Sequence, residues 1–407
     1  MSELGVQSPH LPFPAEQRRG VALCFSGGGY RASLFHLGAS RRLNEVGALT
    51  RIDTFTSVSG GSIYAAHLAG YAAGQPGDWE RRGEPLAGFD DHVADPMREL
   101  ARHNIRTRAV LTRLNPRHWR DQNAQIVALT ERLEETPVGK ARLADLPERP
   151  RFVFCSSEMV FRSQWTADKA GVGAEPPGRA DAGDWSIARA AAASSCLPGV
   201  FAPMRIHDAL RDGTYVGGDR AALLAKLDLS DGGMFDNLGV EPVWQDHASV
   251  LVSDAGPSFK PDPGLGKVWE QLRFAIILLE QATEVRKRWL VSNLIAGQLQ
   301  GTYWGIASRP SSYPKPAPAS YSDELIAGSI APIRIDLDVF SDGEQAVLEN
   351  HGYLMAETAL RSHAPDLVAG GPEPRPPFPD WMDERKATAA LAESGKTKLF
   401  SRGWFQR

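Results

Sequence analysis

The sequence predicts an α/β fold in which helices cover a mostly parallel sheet. Three observations carry that expectation. "VALCFS" (Val21 to Ser26) is a short apolar run ending in glycines, as a buried parallel strand does before a tight turn. Arg31 to Gly47 then sets Leu34, Leu37, Leu43 and Val46 at helical spacing, with Gly47 as a stop. "RIDTFTSV" (Arg51 to Val58) reads as a second strand and "GGSIYAAHLAGYAA" (Gly60 to Ala73) as a second helix. Strand–helix units joined by short turns place successive strands parallel.

The later elements follow the same logic. Strands are expected at Arg151 to Val160, Leu227 to Ser230, Ser249 to Asp254 and Pro332 to Asp338. Helices are expected around Ser186 to Ala193, Val268 to Gly297 and Asp342 to Ser362. Gln75 to Pro150 holds little strand pattern and reads as a helical insertion, a candidate lid or membrane contact. "PSSYPKPAP" (Pro310 to Pro318) is a loop. Residues 1–20 read as an extension and 21–367 as one domain. "GGPEPRPPFPDW" (Gly370 to Trp381) marks its end, with a weakly ordered tail over 368–407.

Composition narrows the class. The 407 residues are 42% apolar and 23% charged, as in soluble globular proteins. A net charge of −4 gives no reason to expect nucleic acid. The strongest apolar run, "FAIILL" (Phe274 to Leu279), is far short of the roughly 18 residues of a membrane span. The first 20 residues lack the apolar core of a signal peptide, so a cytoplasmic location is expected. Cys24, Cys155 and Cys196 are too few and too scattered for a disulfide framework or zinc site. No metal or cofactor is expected.

"TSVSGGSIYAA" (Thr56 to Ala66) sits where the second strand becomes a helix. A nucleophile elbow has small residues two before and two after its serine, because the turn is sharp. Here Ser57 and Gly61 flank Ser59 in that way. The helix N-terminus would also favour developing negative charge on the serine oxygen. Ser57 and Ser62 compete as nucleophiles, but they should lie inside the strand and the first helical turn. A simple helix cap is the plainer use of such serines.

"FSGGGYR" follows the neighbouring strand, so both loops should open at the C-terminal edge of the sheet. Bare backbone there can hold an oxyanion. Gly28 and Gly29 are the expected donors, helped by Gly60. A dinucleotide fingerprint fits worse. Ala32 stands where it needs a third glycine, and the second strand ends in Ser59 rather than an acid. A plain tight turn also accounts for three glycines.

A serine needs a base. His36, His67 and His351 lie in helical or unmarked contexts. The notable acid is Asp231 in "LDLSDGGMFDNLGVEPV", with Gly232 and Gly233 directly after it. An ionised aspartate in hydrogen-bond reach can take a serine proton. Asp-Gly-Gly is also an ordinary turn. Asp236 and Asp254 are rivals.

With these segments placed, the chain resembles the patatin-like phospholipases, over roughly Val21 to Pro242 and on to about Leu367. The order matches: glycine-rich loop, serine elbow, distant Asp-Gly-Gly. "SGGGYRA" is similar to the cytosolic phospholipase A2 branch, and "ASSCLPGVFAPM" (Ala193 to Met204) resembles the family's segment near the active site. The resemblance implies a three-layer α/β/α sandwich and a Ser-Asp dyad without histidine. Carried over, Ser59 is nucleophile, Asp231 base, and Gly27, Gly28 and Gly29 form the oxyanion loop. Arg31 would anchor a substrate phosphate, or pair with a nearby carboxylate. Ser57 in place of the first elbow glycine, and Ala32 in the loop, are departures. The expected reaction is hydrolysis of a glycerophospholipid acyl ester. The alternatives are a neutral lipid, thioester or small ester as substrate, and a catalytically silent lipid-binding protein.

Arg98, Arg102, Arg106, Arg108, Arg113, Arg117 and Arg120 crowd Met97 to Arg120, with Glu99 the only acid among them. Interleaved apolar residues, from Leu100 to Trp119, give a surface that could lie on anionic lipid. A solvated helix face is the plainer reading.

Overall fold

The structure is a computed structural model, and it describes residues 17–114, 121–198, 200–215, 219–257 and 270–394. The first strand, β1 (Val21–Phe25), runs into helix α1 (Gly29–Glu45). The second, β2 (Thr54–Val58), runs into α2 (Gly60–Gly74). Between α2 and the next strand the described residues are helices and turns, as the insertion predicts.

The remaining strands are β3 (Arg151–Glu158), β4 (Ser163–Asp168), β5 (Gly171–Ala174), β6 (Gly178–Ala180), β7 (Met204–Arg205), β8 (Asp228–Asp231), β9 (Ser249–Asp254) and β10 (Gln300–Gly305). They form one sheet in the order β10-β9-β1-β2-β3-β4-β5-β6, with β8 beside β3 and β7 beside β8. The five strands from β10 to β3 are parallel. Those from β4 onward, and β8, are antiparallel.

Alternation along β1 sorts its side chains into two layers. Leu23 and Phe25 face the larger core, where Phe25, Phe55 and Phe152 stack across neighbouring strands. Ala22 and Cys24 face a second core containing Val250, Val252 and Leu290, the last from helix Glu270–Ile295. Helices on both faces make the α/β/α sandwich. The first layer is tightest where α1 crosses helix Asp342–His363. A Cβ on Gly38 would lie 1.9 Å from Glu349 O, and one on Gly352 would lie 1.9 Å from Phe35 O.

β3 sets the position of the site. Its first half pairs with β2, ending at Val58 opposite Cys155. Its next residue, Ser156, pairs with Asp231 of β8. Since β4 covers the other edge of β3, β8 takes the place in the sheet that β2 leaves after Val58. Ser59 and Asp231 are neighbours for that reason.

Two expectations need correction. Pro332 to Asp338 forms no strand. Its polar backbone is engaged elsewhere: Tyr30 N–H donates to Asp336 O at 2.9 Å and Ile105 N–H to Leu337 O at 3.1 Å. The segment is a wall against the glycine loop. Likewise, the chain after Leu367 stays packed to Ser394. Helix Glu384–Ser394 buries Ala387 and Leu391 and packs on the Asp342–His363 helix. Residues 395–407 lie outside the described residues. Among the described residues, no helix is long and apolar enough to cross a membrane.

Candidate active site

Two strand-to-helix turns meet at the C-terminal edge of the sheet. The glycine turn leaves β1, with Gly28 at φ 153° and Gly29 at φ 60°. Both values favour glycine, and both sites lack room. A Cβ would stand 2.4 Å from Ala255 O at Gly28 and 2.6 Å from Asp336 O at Gly29.

The serine turn leaves β2. Ser59 has φ 52° and ψ −122°, a conformation an L-residue holds only when its surroundings impose it. Those surroundings are visible. Ser59 N–H donates to Ser194 Oγ at 2.9 Å, and Ser195 Oγ donates to Ser59 O at 3.0 Å. Ser194 also accepts from Ser62 Oγ at 2.8 Å and donates to Cys155 O at 2.6 Å. The support therefore comes from the end of helix Ile187–Ser194, far away in sequence. Ser57 and Ser62 are fully buried and hydrogen-bonded to each other at 3.0 Å. They belong to this scaffold and do not line the cavity. The hydroxyl of Ser57 is accommodated where the elbow pattern has glycine.

Asp231 ends β8, and its side chain is buried at the same place. Gly232 leaves no room for a side chain: a Cβ there would be 2.2 Å from Cys155 O. Gly233 N–H donates to Asp231 Oδ1 at 2.8 Å, which orients the carboxylate. Oδ2 is buried and makes no well-formed hydrogen bond among the described residues; the Ser59 hydroxyl is the group that lies beside the carboxyl. Burial pushes the carboxyl up to about 6, against opposing pulls from the Ser59 hydroxyl and the Gly233 N–H. A carboxylate so placed is a stronger base than a solvated one and remains mostly ionised near pH 7.

The rivals are occupied. Asp254 is held down to about 2: against the cost of burial, Lys287 at 3.0 Å and Tyr303 Oη at 2.7 Å favour its charge. Asp236 pairs with Arg286 at 3.1 Å. His36, His67 and His351 are buried and pushed down to about 4, each bonded to a backbone carbonyl. None of the three lines the cavity.

Ser59 and Asp231 open onto a cavity of about 340 Å³. Ile63, Leu197, Val200, Phe201 and Leu337 give it a largely apolar wall. At its floor, the N–H groups of Gly28, Gly29 and Gly60 make no hydrogen bond among the described residues. Gly27 differs from the expectation. Its N–H donates to Asn237 O at 3.1 Å, so it fastens the loop and has no proton left for an oxyanion.

Arg31 also departs from expectation. It is buried, away from the cavity, and donates to four backbone carbonyls: Ala255 (2.6 Å), Gly256 (2.6 Å), Ile333 (2.9 Å) and Ala331 (3.3 Å). A guanidinium so engaged clamps the 255–256 and 331–333 segments onto α1 and cannot hold a phosphate. Among the described residues, three arginines of the arginine stretch are ion-paired. Arg98 pairs with Glu349 at 2.7 Å and Arg102 with Asp342 at 3.0 Å. Arg106 is buried against Asp336 and Asp338 and lines the cavity. The side chains of Arg108 and Arg113, and residues 115–120, lie outside the described residues.

Sequence reasoning passed over Ser194, Ser195, Asn237 and Arg106 as contributors to the site. The first three stand inside segments already singled out, "ASSCLPGVFAPM" and "DGGMFDNLG", which was the available signal.

Among solved structures, the chain is similar to VipD from Legionella pneumophila, at 15% identity and TM-score 0.38, covering 85% of this chain and 67% of that one. It is also similar to human GIVD cytosolic phospholipase A2 in complex with methyl gamma-linolenyl fluorophosphonate, at 13% identity and TM-score 0.46. That match covers 93% of this chain and 61% of the human one, so this chain spans about three fifths of the human protein's length. No curated protein matches. The family profile described as Patatin-like phospholipase matches residues 23–244, which take in the glycine turn, the serine turn and the Asp-Gly-Gly segment. With more than half of its residues inside that match, the chain belongs to the patatin-like phospholipase family.

Proposed function

We propose that the protein hydrolyses acyl esters of lipids, with Ser59 as nucleophile and Asp231 as base. Family membership supports lipid acyl hydrolysis in general. The observation that carries the finer reading is the strained Ser59 beside a buried carboxylate with one unpaired oxygen, at the floor of an apolar cavity. Asp231 takes the Ser59 proton, and the oxygen attacks the ester carbonyl. The N–H groups of Gly28 and Gly29, with Gly60, face the developing oxyanion; one such donor is worth about 3–4 kcal/mol in the transition state. The alcohol leaves with the proton from Asp231, and water then releases the fatty acid from the acyl-enzyme. The apolar wall suits the acyl chain.

The head group is a separate matter. With Arg31 clamped to backbone carbonyls, the one arginine expected to read a phosphate is withdrawn. This favours a second reading of the same site, in which neutral acyl esters are hydrolysed as well as phospholipids.

A fluorophosphonate probe tests the dyad. Labelling is expected on the wild type, located at Ser59, and lost in Ser59→Ala. Folded wild-type protein that resists the probe would remove the enzyme reading. Comparing a phosphatidylcholine with a triacylglycerol of the same chains then separates the two substrate readings.

A further inference from the structure

Asn237 lines the same cavity as Ser59 and Asp231. Its carbonyl accepts the Gly27 N–H at 3.1 Å, which ties it to the glycine turn. Its side-chain amide occupies a slot kept open by three glycines from three different segments. A Cβ on Gly27 would stand 2.5 Å from Asn237 Oδ1, and one on Gly233 would stand 2.6 Å from the same atom. A Cβ on Gly256 would stand 2.5 Å from Nδ2. The same constructions place the amide beside the dyad: the point at Gly27 is 3.0 Å from Ser59 Cβ, and the point at Gly233 is 3.0 Å from Asp231 Oδ1.

Two buried polar atoms of these side chains have no hydrogen-bond partner among the described residues. One is a donor, Asn237 Nδ2; the other is an acceptor, Asp231 Oδ2. An unpaired buried polar atom is costly, so a donor and an acceptor left open on adjoining side chains invite a ligand. A molecule that accepts from the first and donates to the second satisfies both, and water is the smallest that does. In this structure Oδ1 lies on the dyad side of the slot and Nδ2 on the Gly256 side; the last torsion of asparagine is broad and two-fold, so the step requires the amide to turn over within the same slot and bring its donor edge to the dyad.

We propose that Asn237 orients the hydrolytic water of deacylation, an inference that rests on the Ser59–Asp231 reading. In the acyl-enzyme, Ser59 Oγ is bonded to the acyl carbon. Water accepts an Asn237 N–H through one lone pair and passes a proton to Asp231 Oδ2. Its oxygen attacks the acyl carbon, and the carbonyl electrons move onto the oxyanion facing Gly28 and Gly29. As the carbonyl re-forms, the bond to Oγ breaks and Asp231 returns the proton to Ser59. Fatty acid and free serine result, and no other reactant is needed.

The test is rapid mixing of the full-length wild type, Asn237→Ala and Asn237→Leu with a 4-nitrophenyl ester. Both variants should release one burst of nitrophenol and then turn over about 100-fold more slowly, as for loss of one oriented donor. Acyl-enzyme should accumulate on Ser59 by mass spectrometry, and fluorophosphonate labelling should keep its wild-type rate. Turnover equal to wild type would overturn the proposal. So would a matched loss of burst rate, labelling and turnover, which marks a structural role. If Asn237→Ala fails to fold, Asn237→Leu decides, since it nearly keeps the volume, adds no charge and loses the amide donor. Failure of the dyad itself looks different: the wild type is then not labelled at Ser59, and the inference falls with it.

Discussion

The ends of β8 and β9 are locally alike and chemically opposite. Each strand closes on a buried aspartate whose Oδ1 accepts the N–H two residues on: Gly233 to Asp231 at 2.8 Å, Gly256 to Asp254 at 2.9 Å. The difference lies in the second oxygen. Asp254 Oδ2 takes Tyr303 Oη and the Lys287 ammonium, and the group is held down to about 2. Asp231 Oδ2 makes no well-formed hydrogen bond among the described residues, and burial pushes that group up to about 6. The same turn thus yields a structural ion in one place and a basic carboxylate in the other.

The largest expected effect breaks the comparison outright. Asp231→Asn should lower turnover by up to about 10⁴-fold, the range of a general base, while the protein stays folded. Asp254→Asn should keep most of its turnover per folded molecule. If the two variants exchange these results, the base is misassigned.

Stability comes next. Asp254→Asn takes from Lys287 its buried partner and leaves it Glu284 at 3.1 Å, which should cost about 1–3 kcal/mol in denaturant melts. Asp231→Asn should cost less than this at pH 7, because it removes a buried charge. An Asp231→Asn loss as large as that of Asp254→Asn would contradict this.

The pH dependences should have opposite signs. Asp231 has a raised pKa in the folded protein, so its contribution is full below about pH 4 and is lost as pH rises through about 6. Asp254 has a depressed one, so its contribution is present above about pH 4 and is lost as pH falls through about 2. Melts of the wild type and both variants across pH 2 to 8 separate the two slopes. Turnover should rise tenfold per unit up to about pH 6 and then level off, as the base ionises. A rate that is flat from pH 4 would count against Asp231.

The smallest effect sharpens the contrast. Tyr303→Phe removes one of the two partners of Asp254 Oδ2 and should cost about 1 kcal/mol, with turnover unchanged.

Much of the site was legible because it is local. The glycine turn and the serine elbow each announce themselves within a few residues, through backbone shapes that few residue types tolerate. Asp231 was legible only as one of three candidates. Arg31 was misread because its partners, Ala255 and Ile333, are more than 200 residues away. Pro332 to Asp338 was misread because an alternating pattern cannot tell a sheet ladder from a wall whose carbonyls are claimed by α1 and by the helix that begins at Ile105. Within the arginine stretch, read as one surface, Arg98 and Arg106 instead turn inward to Glu349, Asp336 and Asp338, partners too distant in sequence to be seen.

By itself, the sequence determined the parallel βα frame, the two turns and which of three serines stands at the strained turn, since these rest on short-range sterics and hydrophobic period. Only the tertiary structure decided which aspartate is free to act as base, that Gly27 is a fastener, and that Arg31 is a clamp. The physical reason is the same each time. A carboxylate's pKa, a donor's availability and a guanidinium's direction depend on which distant groups fold against them, and β3, by pairing first with β2 and then with β8, made that choice for Asp231.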